Sequence, residues 1–294
     1  MPGIMSSEMI VQDGAAKASM PPMAAAETRL GLDDLAALRE SVRALERSTL
    51  TGRLSAMAGK PLELIGHAIP EPARAIISDA TQRALRTALS VALRMIPEAA
   101  AGEPARRSSG RRDTTLAAAS GAIGGAFGLL ALPVELPVST TLVLRSIAEI
   151  AREEGEDLSD PETVLACMQV FALGSRTEAD DLASSGYFAV RAALARSISQ
   201  AARVAVGKGV SDSAPILMRL VAQIASRFGI VVSQKVAAGA VPVVGALGGA
   251  AVNAAFMTHF RTVARAHFTV RRLERLYGRE TVRAAYEEIR TNLA

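Results

Sequence analysis

Tryptophan is missing from this 294-residue chain, and cysteine, histidine and tyrosine number only one, three and three. A single cysteine, Cys167, excludes an internal disulfide and any cysteine-based metal cluster within one chain. It sits in the apolar string VLACMQVF, which predicts a small buried hydrophobe rather than a nucleophile. Aromatic residues make up 3% of the chain, and no run alternates them with β-branched residues, so little or no sheet is expected. Lysine is scarce too: Lys17, Lys60, Lys208 and Lys235 are the lysines among 33 basic residues. The basic runs carry no interleaved aromatics, and 29 acidic residues nearly balance them, which argues against a nucleic-acid partner. Familiar catalytic signatures are absent as well, with no GxSxG, HExxH, GxxxxGKS/T or GxGxxG.

Alanine and arginine fill much of what is left, a composition that favours helix almost everywhere. The expected fold is all-α, a multi-helix bundle in which two Gly/Ala-rich helices pack closely. Those helices are marked by a near-repeat, GAIGGA at Gly121–Ala126 and GALGGA at Gly245–Ala250. Each repeat lies in an uncharged window, Thr114–Val134 and Val236–Thr258, long enough to cross a bilayer at roughly 20 residues per helix. GxxxG spacing at Gly121 and Gly125, Gly124 and Gly128, and Gly245 and Gly249, with Gly248 beside it, strips side chains from one helical face. Close backbone approach of this kind serves transmembrane pairs and soluble cores equally. Arginines at 106, 107, 111 and 112 precede the first window, and 261, 265, 271 and 272 follow the second. If both windows span, the two clusters share one side, as the positive-inside rule expects for the cytoplasm.

Along the chain, residues 1–27 read as a disordered tail without the apolar core of 7–15 residues that a secretory signal needs. The soluble parts are therefore expected in the cytoplasm or on the cytoplasmic side of the inner membrane. Residues 28–96 read as a helical arm. Leu32, Leu35, Leu38, Val42 and Leu45 form one apolar stripe, and a further helix is predicted over Ala73–Ile96. A Pro/Gly/Ser/Arg linker over 97–113 separates this arm from a main helical domain at 114–294. Within that domain, prolines 133, 137, 161, 215 and 242 and several glycines punctuate the helices. Ser159-Asp160-Pro161-Glu162 is a helix start, and Arg279–Asn292 is a terminal helix with Val282, Tyr286 and Ile289 on one face.

Polar residues in apolar surroundings are the candidates for a site. His259 and His267 lie on one predicted helix, about 12 Å apart along its axis, too far to share one metal ion. No metal or cofactor is expected. Asn253, Phe256, Phe260, Ala264, His267, Arg271 and Glu274 follow at three- or four-residue steps, so His267, Arg271 and Glu274 are expected to form a structural network. Glu135, between Pro133 and Pro137, requires a partner if buried, and Arg145 or Arg271 is the expected one.

These residues fall in segments that resemble the EcsC family of bacterial proteins. The resemblance rests on LPVELPVSTTLVLRSIAEIAREEGEDL at Leu132–Leu158, CMQVFALG at Cys167–Gly174 and SGYFAVRAALA near Gly186. It continues through VPVVGALGGAAVNAAFMTHF at Val241–Phe260 and ARAHFTVRRLERLYG at Ala264–Gly278, covering roughly Lys60 to Gly278. Polar positions that match the family pattern are Glu135, Arg145, Glu149, Gly155, Glu156, Asn253, His259, His267, Arg271 and Glu274. The family is named for a gene that neighbours those of an ABC transporter, and its biochemical role is not established. The preferred reading is a non-enzymatic accessory or interaction protein held at the cytoplasmic membrane face by the two small-residue windows and the flanking arginines, with membrane lipid or a membrane protein as its partner; the resemblance implies an ABC transporter as such a protein. Two other readings stay open. One is a hydrolase, peptidase-like and possibly metal-assisted, using His259, His267 and nearby carboxylates; the other is a soluble helical scaffold with the glycine windows as its core.

Overall fold

The computed structural model describes residues 30–47, 49–50, 52–54, 70–100, 131–175, 186–207, 210–239 and 245–293. These residues are helical, with no strand among them. The helices are α1 (Leu32–Arg47), α2 (Glu71–Ala100), α3 (Leu132–Glu153), α4 (Pro161–Leu173), α5 (Tyr187–Gly207), α6 (Val210–Gly239), α7 (Gly245–Tyr277) and α8 (Arg279–Leu293).

Helix α4 is the hub. Its sequence PETVLACMQVFAL is apolar on every side, the pattern of a helix with no solvent face, and every residue from Thr163 to Leu173 is buried. Helices α2, α3, α5, α6 and α7 all pack on it. It starts where the sequence predicts: the Asp160 side chain accepts from the backbone N–H groups of Glu162 (3.1 Å) and Thr163 (3.3 Å), and Pro161 follows in the first turn. Phe171 of α4 meets Phe228 of α6 and Phe260 of α7 with ring centroids 5.0 and 5.4 Å apart, and Phe256 closes the group at 5.0 Å from Phe260. Four phenylalanines thus meet where three helices join, and aromatic pairs of this kind add about 0.5–1.5 kcal/mol each beyond burial.

Cys167 is fully buried in α4, as expected, and burial pushes its thiol up to about 12. Helix α8 buries Val282 and Tyr286 with Ile289 beside them, also as expected. The separation into an arm and a main domain divides the chain but not the core. Leu38 and Val42 of α1 and Leu85 of α2 belong to the same buried cluster as α4, and α2 lies between α3 and α6. Helix α2 also runs through Pro97 to Ala100, into the stretch assigned to the linker.

Prolines break fewer helices than their positions suggest. Pro133 opens α3, and Pro137 and Pro215 lie inside α3 and α6 within two turns of their starts. Pro133 sits in the first turn, where the N–H that proline lacks has no intrahelical partner to lose, whereas Pro137 and Pro215 each forgo one i→i−4 bond without ending the helix. The glycine windows fare differently. Gly121, Gly124, Gly125 and Gly128 lie outside the described residues, as does the tail 1–27, so the contact expected between the two windows falls there too. Val236–Thr258 is not one helix: α6 ends at Gly239, and α7 begins at Gly245 with Gly248 and Gly249 in its first turns. Among the described residues, the one helix long and apolar enough to cross a membrane is neither window but Pro215–Ala238 of α6.

Candidate functional site

Helix α7 carries five of the polar positions singled out in the sequence, Asn253, His259, His267, Arg271 and Glu274, and its 33 residues string them into three separate stations. At the first, Asn253 Nδ2 donates to Glu135 Oε1 (2.8 Å), while Lys235 Nζ donates to both carboxylate oxygens of Glu135 (2.9 and 3.0 Å). Only 7% of the Lys235 side chain and 10% of that of Glu135 are exposed. The ammonium also lies 4.7 Å from the Phe256 ring centroid, a cation–π contact. Glu135 is therefore paired, but with a lysine and not with Arg145 or Arg271. Arg145 is exposed ten residues further along α3, about 15 Å away along the axis, and Arg271 lies about 27 Å beyond Asn253 on α7. A signal was present in the sequence: Glu135 is the lone charge between Asp113 and Arg145, and Lys235 the lone lysine, arginine or acid between Arg227 and Arg261. Glu149 is half-buried on α3.

At the second station the His259 ring is buried, and its Nε2–H donates to the carbonyl of Gly174 at 2.7 Å. The carbonyl can only accept, so the neutral ring leaves Nδ1 as an acceptor, and Nδ1 has no hydrogen-bond partner among the described residues. Burial drives the His259 pKa down to about 4, with the charge of Arg53 adding and the Gly174 bond opposing. Gly174 must stay glycine for packing reasons. A Cβ there would meet the Phe260 ring at 2.5 Å, so α4 ends in direct backbone contact with α7.

The third station occupies the last three turns of α7. Tyr187 Oη accepts from Arg191 Nη1 (3.3 Å) and is hydrogen-bonded to His267 Nδ1 (2.8 Å), in a direction set by the tautomer of the ring. Arg191 forms a two-pronged pair with Glu274 (2.8 and 2.6 Å). Arg271 forms another with Glu156 (2.8 and 2.8 Å), which also accepts from Arg275. Arg272 reaches Glu154 (3.0 Å) and Asp34 (3.1 Å), and the Tyr277 hydroxyl donates to Asp34 (2.8 Å). Burial raises the Glu156 pKa, but the hydrogen bonds and charges of Arg271 and Arg275 outweigh it and hold the carboxyl below its usual range. Burial pushes His267 well below its ordinary value, with Arg191 and Arg271 adding to the effect. The same burial pushes Tyr187 up to about 12.

His267, Arg271 and Glu274 are thus neighbours in one polar region, but they do not bond to one another as expected. Each is completed by another element: α5 supplies Tyr187 and Arg191, and the turn after α3 supplies Glu154 and Glu156. That turn is possible because Gly155 adopts φ +79°, a conformation side-chain-bearing residues rarely take. Two of the segments that carry the family resemblance, AREEGEDL and VRRLERLYG, are therefore clasped to each other. Sequence reasoning missed Tyr187, Arg191, Lys235, Arg272 and Arg275, although Tyr187 and Arg191 stand four apart in a segment already quoted. At all three stations the geometry is that of a lock. The ion pairs are closed, both histidines are neutral and buried, and no group of three metal-ligating side chains exists among the described residues.

A family model, that of the EcsC protein family, matches residues 34–273. No curated protein and no solved structure matches the chain. The matched stretch begins in α1, earlier than Lys60, and ends at Leu273 in α7, so it contains all three stations except Glu274, Arg275 and Tyr277. A match over this much of the sequence, joining the acidic turn after α3 to the arginines of α7, means that the chain belongs to the EcsC family.

Proposed function

We propose that this is a non-enzymatic accessory protein that binds the cytoplasmic face of the membrane through the outer side of α6. The observation that carries this reading is the incomplete cover of an apolar helix. Of the most apolar window of Pro215–Ala238, 39% is buried, and Met218 and Ile230 face solvent. The first turns of α3, tied to α6 through Glu135 and Lys235, add Val134 (74% exposed) and Val138 (48% exposed). Aliphatic side chains left exposed along an apolar helix, and on the helix tied to its C-terminal end, favour a lipid surface or the apolar flank of a membrane protein. The family resemblance supports an ABC transporter as that protein partner.

Co-sedimentation with phospholipid vesicles tests the reading. Untagged protein is expected to pellet with vesicles at low salt without detergent, and Met218→Ser with Ile230→Ser is expected to move most of it to the supernatant. Wild-type protein that stays in the supernatant overturns the proposal. The soluble-scaffold reading draws on α4, whose apolar surface is entirely covered by other helices. A hydrolase finds less support, because His259 and His267 are committed to separate partners and neither lines the large groove between α1 and α7.

A further inference from the structure

A cavity of about 360 Å³ opens between α1 and α7, on surfaces that none of the three stations uses. Its walls are small residues at helical spacing, Ala37, Ser41 and Ala44 on α1 facing Thr258, Thr262 and Ala266 on α7. The volume falls within the roughly 300–1,000 Å³ of small-molecule sites. Two arginines, Arg261 and Arg265, reach into it. They are not equivalent. Arg265 is already matched by Glu153 (2.6 Å) and Glu154 (3.5 Å). Arg261 is half-buried and makes one hydrogen bond, to the Oγ of the fully buried Ser146, and no ion pair among the described residues.

A guanidinium has five donors and cannot be deprotonated in a protein, so Arg261 keeps a full charge with most of its donors unused. A planar fork of this kind binds oxyanions through two parallel hydrogen bonds. Arg53, which is not among the cavity's lining residues, donates from Nη2 to the Thr262 hydroxyl at 3.5 Å. The Thr262 hydroxyl donates to the Thr258 carbonyl (2.9 Å), which aligns its oxygen within the groove. Everywhere else on α7 from Arg265 onward, the arginines at 265, 271, 272 and 275 have carboxylate partners within the chain. Arg261 is the exception, and it lines the cavity.

We infer that the groove between α1 and α7 is a binding site for a small ligand bearing an oxyanion, phosphate or carboxylate, with Arg261 as its anchor and the alanine and threonine faces holding the rest. Glu40, exposed on the α1 wall, opposes the anion and sets a limit on affinity. The site is independent of the proposed membrane contact on α6, and either can fail without the other.

Calorimetric titration of the full chain with inorganic phosphate, glycerol 3-phosphate and acetate tests it. Saturable binding of at least one probe is expected, and its preference between the phosphates and acetate identifies the oxyanion. Arg261→Gln is expected to weaken that binding at least ten-fold. Glu40→Gln, an exposed change that leaves the core untouched, is expected to strengthen it several-fold at low salt, so that a loss in Arg261→Gln from misfolding is told apart from loss of the anchor. Absence of saturable binding by the wild type, or equal binding in all three proteins, overturns the inference.

Discussion

Helices α4 and α6 are both apolar, and they meet at Phe171 and Phe228, yet their surroundings are opposite. Every residue of α4 from Thr163 to Leu173 is buried, whereas α6 turns Met218 and Ile230 to solvent. Hydrophobic composition therefore does not decide the role of a helix in this chain; the number of neighbours does. Helix α4 is short and five helices surround it, while α6, with 30 residues, has α2, α4, α5 and α7 against it and keeps one side open.

The sharpest way to break this contrast is to truncate the hub. Phe171→Ala is expected to cost about 3–5 kcal/mol, because the ring fills the junction of three helices and the cavity cannot collapse. Ile230→Ala on the open side of α6 is expected to stay within about 0.5 kcal/mol. Urea denaturation of the pair measures both, and equal losses would mean that α6 is covered as α4 is.

Next comes the ion pair that fixes the end of α6 to α3. Lys235→Ala leaves Glu135 as a buried carboxylate without its cation, at an expected cost of about 3 kcal/mol. Replacing both partners, Lys235→Met with Glu135→Leu, is expected to restore most of that loss, since two aliphatic side chains need no desolvated charges. Thermal melts of the single and double variants give the coupling.

The end of α4 is linked to pH. The folded-state pKa of His259 is about 4, below its ordinary 6.5, so the unfolded chain takes up a proton that the folded chain refuses. Stability is unaffected above pH 6.5 and falls as pH drops from 6.5 towards 4, by about 1.4 kcal/mol per unit for this one group. His267, also lowered, extends the loss in the same direction. Replacing His259 with Gln is expected to flatten the slope between pH 6 and 4.5 in urea midpoints, although the variant is less stable at pH 7. The smallest effect belongs to Val138→Ser on α3. It is expected to leave the melting temperature unchanged and to weaken vesicle binding only in part, because Val134, Met218 and Ile230 remain.

Much of the fold is readable one helix at a time. The stripe Leu38, Val42 and Leu45, the Asp160 cap and the Val282–Tyr286 face are local signals, carried by residues within two or three turns of each other. The candidate residues were legible as a set, since Asn253, His259, His267, Arg271 and Glu274 all lie on α7. Their partners were not. Glu135 and Lys235 are 100 residues apart, and Arg191 and Glu274 are 83 apart, so spacing along one helix carries no trace of either pair. Arg145 or Arg271 was the expected partner for Glu135, but the buried end of α6 offers a lysine.

By itself the sequence determined an all-helical protein, its capped and amphipathic segments, an unreactive Cys167 and membership of the EcsC family. Helical periodicity and capping are short-range properties, so the order of residues is enough to specify them. Tertiary structure alone decided that VLACMQVF is the centre of the molecule and that, among the described residues, α6 keeps apolar side chains uncovered. It also left Arg261 as the cation on α7 that lines a cavity without an ion-pair partner among the described residues. Cover and charge matching depend on which distant segments arrive beside a helix, and that is fixed only when the whole chain packs.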